Sequence, residues 1–462
     1  MEGYAIFIVY TGILLFIVGR TISCVKKESI SSVIFADRKV GGMTGVCSVF
    51  AAWMWTTSVF GASETYYLYG IWGPVGYTLS ACIAFVAFVN IMLMIKSRMY
   101  SKVTYLDYVE TRYGKRTKIF FYMFAVIVSA YVLIEQAVGI AYILGIFYGT
   151  SFKILAFLSV IISVIFVIAG GMKSVLKNEM MTAVLIISGF AAACIYIMAG
   201  NGISDDFFNS VRTVNGHGYM SDVIIVPAVR YFIMAVVIAF SQLIFDPAFY
   251  IKADMLEDRS RIKPVFYTGG ILLWGVVSLF SSLYLGWYIT ENDSAVTTIS
   301  GGSEKLLFSI VMVVIGISTI CHYLIGLFGI FSTDVYPTFY DGDLAEKDVL
   351  VFGKVLTVAV AIFCASIAIS LENISLLTID VFCAIFFAAP TVPIIIGCFS
   401  RRNFGTVPII STIAGITGGL IVWTVTPGDQ YWGQFWGMAA SVAIPLILMM
   451  ALGYFFRLPY DK

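Results

Sequence analysis

Long apolar runs, each broken by a short polar connection, make up nearly the whole chain. A bilayer's hydrocarbon core of about 30 Å takes roughly 20 residues of helix. By that measure thirteen segments are long enough: about 4–24, 42–70, 73–97, 119–148, 152–173, 177–200, 224–252, 264–290, 303–336, 349–370, 374–399, 405–426 and 434–456. The connections at Gly70–Gly73 and Lys173–Lys177 are very short, and the longest polar loop, Asn201 to Asp222, is too short to be a domain. The pattern predicts an all-α polytopic membrane protein, one unit over 1–462. The first segment lacks a basic leader and a small-residue cleavage site, so it reads as a retained helix.

Two segments interrupt their own periodicity. Ala51 to Thr65, AAWMWTTSVFGASET, carries two tryptophans, then Thr56, Thr57 and Ser58, then Gly61, Ser63 and Glu64. A break is expected at Trp55–Ser63. The seventh segment carries Phe245-Asp246-Pro247 behind Gln242. Pro247 lacks the N–H that would reach Leu243, so the helix must kink or unwind there. Irregular backbone at membrane depth is tolerated only inside protein or along a cavity. Broken helices in matching positions of two halves point to inverted repeats with a site at the midplane. The breaks divide the chain into a first helix (4–24), a first five-helix repeat (42–200), a second (224–399) and two closing helices (405–456).

Charge sets the expected orientation. With the N-terminus outside, only Lys153, Arg212, Arg230 and Lys305 of 28 basic residues fall near the outer face. The rest, Lys252 among them, fall inside, which gives an N-out, C-in topology. The inner loop with Asp341, Asp343, Glu346 and Asp348 is acidic, but acidic residues weigh little in this rule.

Composition narrows the class. Sixty per cent of residues are hydrophobic and 12% charged, with a mean hydropathy of +0.95. A soluble fold could not hide that much apolar surface. A net charge of +1 excludes a polyanion-binding logic. The eight cysteines show no CxxC spacing and read as packing residues. Nucleotide loops, metal clusters and nucleophile–base motifs are absent from the sequence, so no enzyme and no cofactor are expected.

Candidates for a solute cavity cluster at the breaks: Trp53, Trp55, Thr57 and Ser58 from the first, Gln242, Phe245, Asp246 and Tyr250 from the second. Glu135, with Gln136 beside it, is a further carboxylate at depth, where charge is costly and usually functional. The tryptophans could instead be interfacial anchors, and Glu64 could lie at the outer interface. Carboxylates among aromatics suit a small polar or amine-like solute. A carboxylate substrate fits less well, because no Lys or Arg is expected at depth.

Four stretches carry a family resemblance. Thr104-Tyr-Leu-Asp107-Tyr-Val-Glu-Thr-Arg112-Tyr-Gly114 resembles a T-x-P-[DE]-[YF]-x-x-x-R-[FY] loop, with Leu106 in the place of proline. Gly170-Gly171-Met-Lys-Ser-Val-Leu-Lys-Asn178-Glu179 resembles G-G-x-x-A-V-x-x-T-D. Ser318-Thr319 with Thr333-Asp334-Val-Tyr336, and Arg401-Arg-Asn403-Phe-Gly405, complete the set. Taken in order, these resemble the sodium/solute symporter family, which has the LeuT-type fold. Within it, Tyr66–Gly73 and Asp246–Tyr250 are similar to the branch of active urea transporters.

The resemblance implies a multi-pass cell-membrane transporter that takes up a small solute with Na+ by alternating access. It implies Na+ held by the carbonyls of Ala51, Met54 and Ile315 and the hydroxyls of Ser318 and Thr319. The plain alternative is that Ser318 and Thr319 bond back to their own helix. A second sodium site of the family type is expected to be absent, since Glu179, Asn178, Cys321 and His322 stand at its positions and Cys and His suit sodium poorly. A Glu179–His322 pair would open a proton-coupled alternative; an ordinary hydrogen-bonded core histidine is the other reading. A membrane sensor with a separate signalling partner is the rival outside transport, since relatives of that kind carry a kinase region.

Overall fold

The computed structural model describes residues 2–22, 29–98, 104–196, 213–214, 217–291, 302–340, 345–372, 376–400, 404–427 and 430–455. Most of the Asn201–Asp222 loop lies outside them, as do Lys26, Lys27, Arg212, Asp341, Asp343, Arg401, Arg402 and Asn403. The fold is helical. Among the described residues the sole exceptions are a two-residue hairpin, β1 (Thr213–Val214) with β2 (His217–Gly218), and a Val40–Leu256 bridge.

The helices are α1 (Glu2–Ile22), α2 (Ile30–Phe35), α3 (Gly42–Trp53), α4 (Ala62–Tyr69), α5 (Trp72–Ser97), α6 (Tyr105–Tyr113), α7 (Lys115–Tyr148), α8 (Phe152–Tyr196) and α9 (Asp222–Phe245). After the second break come α10 (Pro247–Met255), α11 (Ile262–Tyr267), α12 (Trp274–Glu291), α13 (Gly302–Ile330), α14 (Tyr336–Phe339), α15 (Glu346–Ala368), α16 (Leu376–Phe399), α17 (Val407–Val425) and α18 (Gln430–Phe455). Ten described helices or joined helix runs are long and apolar enough to cross a membrane, and eleven if α3 and α4 form one bent span. Lipid-facing residues such as Phe16, Val184, Phe363 and Ile447 are exposed and apolar, as a bilayer solvent requires. The buried centre is the long run Lys305–Phe339, 89% of whose most apolar window is inside the protein.

The connection expected at Lys173–Lys177 is helical; the turn lies earlier, at Gly171 (φ 58°, ψ −164°). A Cβ there would come within 2.7 Å of the Val33 carbonyl. Only glycine takes this conformation freely and also lets α2 approach so closely.

Two of the sequence stretches behind the family resemblance, 104–114 and 333–336, meet in space. Thr104 caps α6 by accepting from Leu106 N at 3.3 Å, and its hydroxyl donates to Asp334 Oδ1 at 3.2 Å. Asp107 pairs with Lys118 at 3.0 Å, and Arg112 donates to the Ser400 carbonyl. These contacts clamp α6, α7, the end of the α13 run and the end of α16 on one side of the molecule.

Candidate solute and ion site between the two broken helices

The first break begins at Met54, one residue before the stretch the sequence suggests, and runs on into it. α3 stops at Trp53; Met54 is extended (φ −84°, ψ 93°), and its N–H makes the last helical bond, to Phe50 O at 3.0 Å. Trp55 N–H then turns to Ser58 Oγ at 3.2 Å and Thr56 N–H to Gln136 Oε1 at 2.9 Å. The carbonyls of Ala51 and Ala52 therefore lose their usual helical donors. A widened turn at Thr57–Gly61 leads into α4, and the two arms bend by 64°. Gln136 thus supplies a backbone bond that the break gave up, the substitution that buried irregular backbone demands. A Cβ at Gly139, one turn on, would come within 2.7 Å of Thr56 Oγ1, so any larger residue there would push Thr56 aside.

At the second break α9 ends at Phe245 and Pro247 opens α10. Asp246 is its N-cap, accepting from Ala248 N at 2.8 Å. Proline suits the first helical position because its missing N–H would have had no helical partner there.

A narrow cavity lies between the breaks. It is lined by Trp53, Trp55, Thr57, Ser58 and Gln242, as expected, and by Tyr77, Ser80, Ala81, Tyr231, Ala235, Ile238, Ala239 and Trp274. The additional residues come from the unbroken α5 and α12 and from the upper turns of α9, where the sequence shows ordinary apolar helix. Ser58 is the hub: it accepts from Trp274 Nε1 at 3.3 Å, and its carbonyl accepts from Ser278 Oγ at 2.9 Å. Trp53 packs edge-on to Trp55 with centroids 5.2 Å apart, and its indole N–H is buried without a partner among the described residues. Gln242 donates to Tyr131 OH at 3.0 Å.

Four expected solute contacts are elsewhere. Phe245 packs in an aromatic cluster with Tyr105, Phe121 and Phe124. Tyr250 sits against Phe88 and Tyr105 with its hydroxyl on Ile244 O at 3.3 Å. Glu135 is buried beside Gln136, 3.3 Å from its Nε2. Asp246 is fully buried as a cap and holds His322 Nε2 at 2.9 Å. Among the described residues the cavity lining carries no charged side chain.

On the far side of the first break, Thr319 Oγ1 donates to Met54 O at 3.2 Å. Ser318 Oγ is buried and lacks a partner among the described residues, and Ala51 and Ile315 are fully buried on the same two elements. Neither hydroxyl bonds back to its own helix among the described residues. A carbonyl and two hydroxyls are hard oxygen donors of the kind sodium takes.

The pairing expected between Glu179 and His322 is displaced. Glu179 Oε1 takes Lys252 Nζ at 2.5 Å and Oε2 takes Ser48 Oγ at 2.6 Å, while His322 Nδ1 stands 3.9 Å away. Lys252, assigned by charge counting to the inner side, is fully buried inside the protein. Cys321 is buried on α13 beside His322.

Unwound helix ends, a buried cavity and a polar core in an all-helical bilayer frame define a polytopic membrane protein of the LeuT-type fold. The model of the sodium:solute symporter family matches residues 33–245, somewhat under half of the chain. Among curated proteins the chain is similar to the Urea active transporter of Saccharomyces cerevisiae, 21% identical over 94% of this chain and 65% of that one. It is also similar to the Urea-proton symporter DUR3 of Oryza sativa subsp. japonica, 20% identical over 83% and 59%. The chain thus spans somewhat under two thirds of the length of these relatives. Among solved structures, a Na+-coupled sialic acid symporter in a substrate-bound outward-open state matches all of this chain and 99% of its own, with 14% identity and TM-score 0.76. A nucleobase-cation-symport-1 family transporter, closed with bromovinylhydantoin bound, matches 93% and 96%, with 11% identity and TM-score 0.58. At these identities the structures speak for the fold alone.

Proposed function

We propose that this protein is a sodium-coupled symporter for a small neutral solute of the urea class, a compact molecule rich in hydrogen-bond donors and acceptors. One observation carries the reading. A cavity lined by aromatic rings, hydroxyls and an amide, without a charged side chain, shares the Trp53–Ser58 break with the Met54–Thr319 contact. An amine or a carboxylate would leave its charge unpaired there; a neutral amide would not. Names of relatives that mention urea support the same class. Ala51, Met54, Ile315, Ser318 and Thr319 would hold the ion, and the solute would meet Trp53, Trp55, Thr57, Ser58 and Gln242. Since Met54 and Trp55 are consecutive, filling one site sets the backbone of the other, which is how the ion gradient would drive uptake.

In this reading the chain makes thirteen spans with N-out, C-in topology: α8 counts as two arms about Gly171, and α16 crosses as well. Residues 42–200 and 224–399 form the two repeats. Uptake of radiolabelled urea into proteoliposomes, with and without an inward sodium gradient, tests the function. Uptake that ignores sodium would remove the coupling assignment.

A second reading couples uptake to protons, and one observation favours it. His322 Nδ1 is buried, lacks a partner among the described residues and faces Glu179. A proton there would be held between two carboxylates, Asp246 and Glu179.

A further inference from the structure

A fully buried quartet lies behind the first break: Glu179 on α8, Asp246 and Lys252 around α10, and His322 on α13. Ser48 of α3 joins it by two atoms, its hydroxyl on Glu179 Oε2 and its carbonyl 3.2 Å from Lys252 Nζ. Each acid has its own compensation. Asp246 caps α10, where the N-terminal helix dipole favours an anion, and it holds the imidazole. Among the described residues Glu179 is hydrogen-bonded by the Lys252 ammonium and the Ser48 hydroxyl, with His322 Nδ1 3.9 Å away.

The surroundings of Lys252 Nζ are the notable part. A carboxylate oxygen and a main-chain carbonyl hold it, and a serine hydroxyl shares the same carboxylate; these are the hard oxygens that bind a small alkali cation. Isolated ammonium groups are not buried at this depth. Paired in this way, Lys252 fills a cation seat with a cation attached to the chain.

We propose that Lys252 is a built-in cation: its ammonium occupies, against Glu179 and the Ser48 carbonyl, the seat that a second mobile alkali cation would need. The inference rests on the ion-coupled reading above. It sets ion stoichiometry by sequence, leaving the Met54–Thr319 site as the one open to sodium. It also gives a mechanical reason for the residue. Lys252 follows the second break and Ser48 precedes the first, while Glu179 belongs to the arm of α8 after Gly171, so a permanent charge ties both broken helices to that arm. A mobile ion there would release that tie in every cycle.

The facing groups define the test. Asp246, Glu179 and His322 surround the ammonium, with Cys321 and the Tyr10–Asn178 hydrogen bond (2.7 Å) on α13, α1 and α8. Removing the lysine leaves a carboxylate, a carbonyl and a hydroxyl around a gap of ammonium size. Equilibrium binding of radioactive sodium to purified protein in nanodiscs is the measurement, made on wild type, Lys252→Ala, Thr319→Ala and the double variant. Lys252→Ala should bind one more sodium than wild type, and the double variant should keep that extra ion while losing the other. Sodium or methylammonium should raise the melting temperature of Lys252→Ala and leave that of Thr319→Ala little changed. Three results would overturn the proposal: no additional sodium in Lys252→Ala, a second sodium already bound by wild type, or a Lys252→Ala protein that neither cation stabilises or allows to be recovered. A wild type that binds no sodium, paired with a Lys252→Ala variant that binds one, would remove the sodium-coupled reading and leave the built-in cation standing.

Discussion

The Thr319 hydroxyl donates to the Met54 carbonyl across 3.2 Å, joining the middle of α13 to the last turn of α3. The contact needs both a released carbonyl and a hydroxyl aimed away from its own helix. Thr319→Ala should raise the sodium concentration for half-maximal uptake by about tenfold or more, equivalent to ~1.4 kcal/mol. Thr319→Ser, which keeps the oxygen, should stay close to wild type. Sodium titration of initial uptake rates checks both.

Trp274 holds Ser58 in place through its indole N–H. Trp274→Phe keeps the ring and removes that bond, worth about 0.5–1.5 kcal/mol. The expected result is a rise in the solute KM of roughly 2- to 10-fold with sodium affinity nearly unchanged. Gln242→Leu should act in the same direction by taking a polar atom from the cavity wall. Concentration series of uptake at saturating sodium separate solute from ion effects.

Gly171→Ala places a side chain at φ 58° and against the Val33 carbonyl. Such strain costs about 1–3 kcal/mol, and the folded yield and melting temperature should fall. Gly12→Ala, where an added Cβ meets nothing within 4 Å, is the matched control and should have little effect. Thermal unfolding of the two variants side by side gives the comparison.

His322 sits between Asp246 and Glu179. If protons contribute to coupling, uptake at fixed sodium should change with pH. His322→Gln should then flatten that profile. Measured at fixed sodium, a profile that keeps its shape in His322→Gln would return the residue to an ordinary role in packing.

The two breaks were legible because their causes are local. Pro247 cannot continue a helix, and the run of polar residues after Trp55 does not belong in plain apolar helix. The same locality explains the misplacements. The first break begins at Met54 because Gln136, eighty residues away, captures Thr56 N–H, and no local signal marks that. Asp246 looked like a solute contact since it lies in the unwound stretch, yet capping α10 and holding His322 turn it away from the cavity. Lys252 looked like an inner-loop charge because it follows an apolar run; its partner Glu179 is distant in sequence. The part of the cavity on α5 and α12 could not be read from sequence, as Tyr77, Ala81 and Trp274 follow the pattern of any buried helix face.

The account depends above all on one neutral solute site driven by one ion site across a shared break. Initial uptake of radiolabelled urea into proteoliposomes, under a sodium gradient alone and then a proton gradient alone, tests this most directly. The account predicts uptake that needs sodium, competes with other small neutral amides and falls sharply in Thr319→Ala. Uptake driven fully by protons without sodium, or no uptake of urea or any small neutral amide under either gradient, would contradict it.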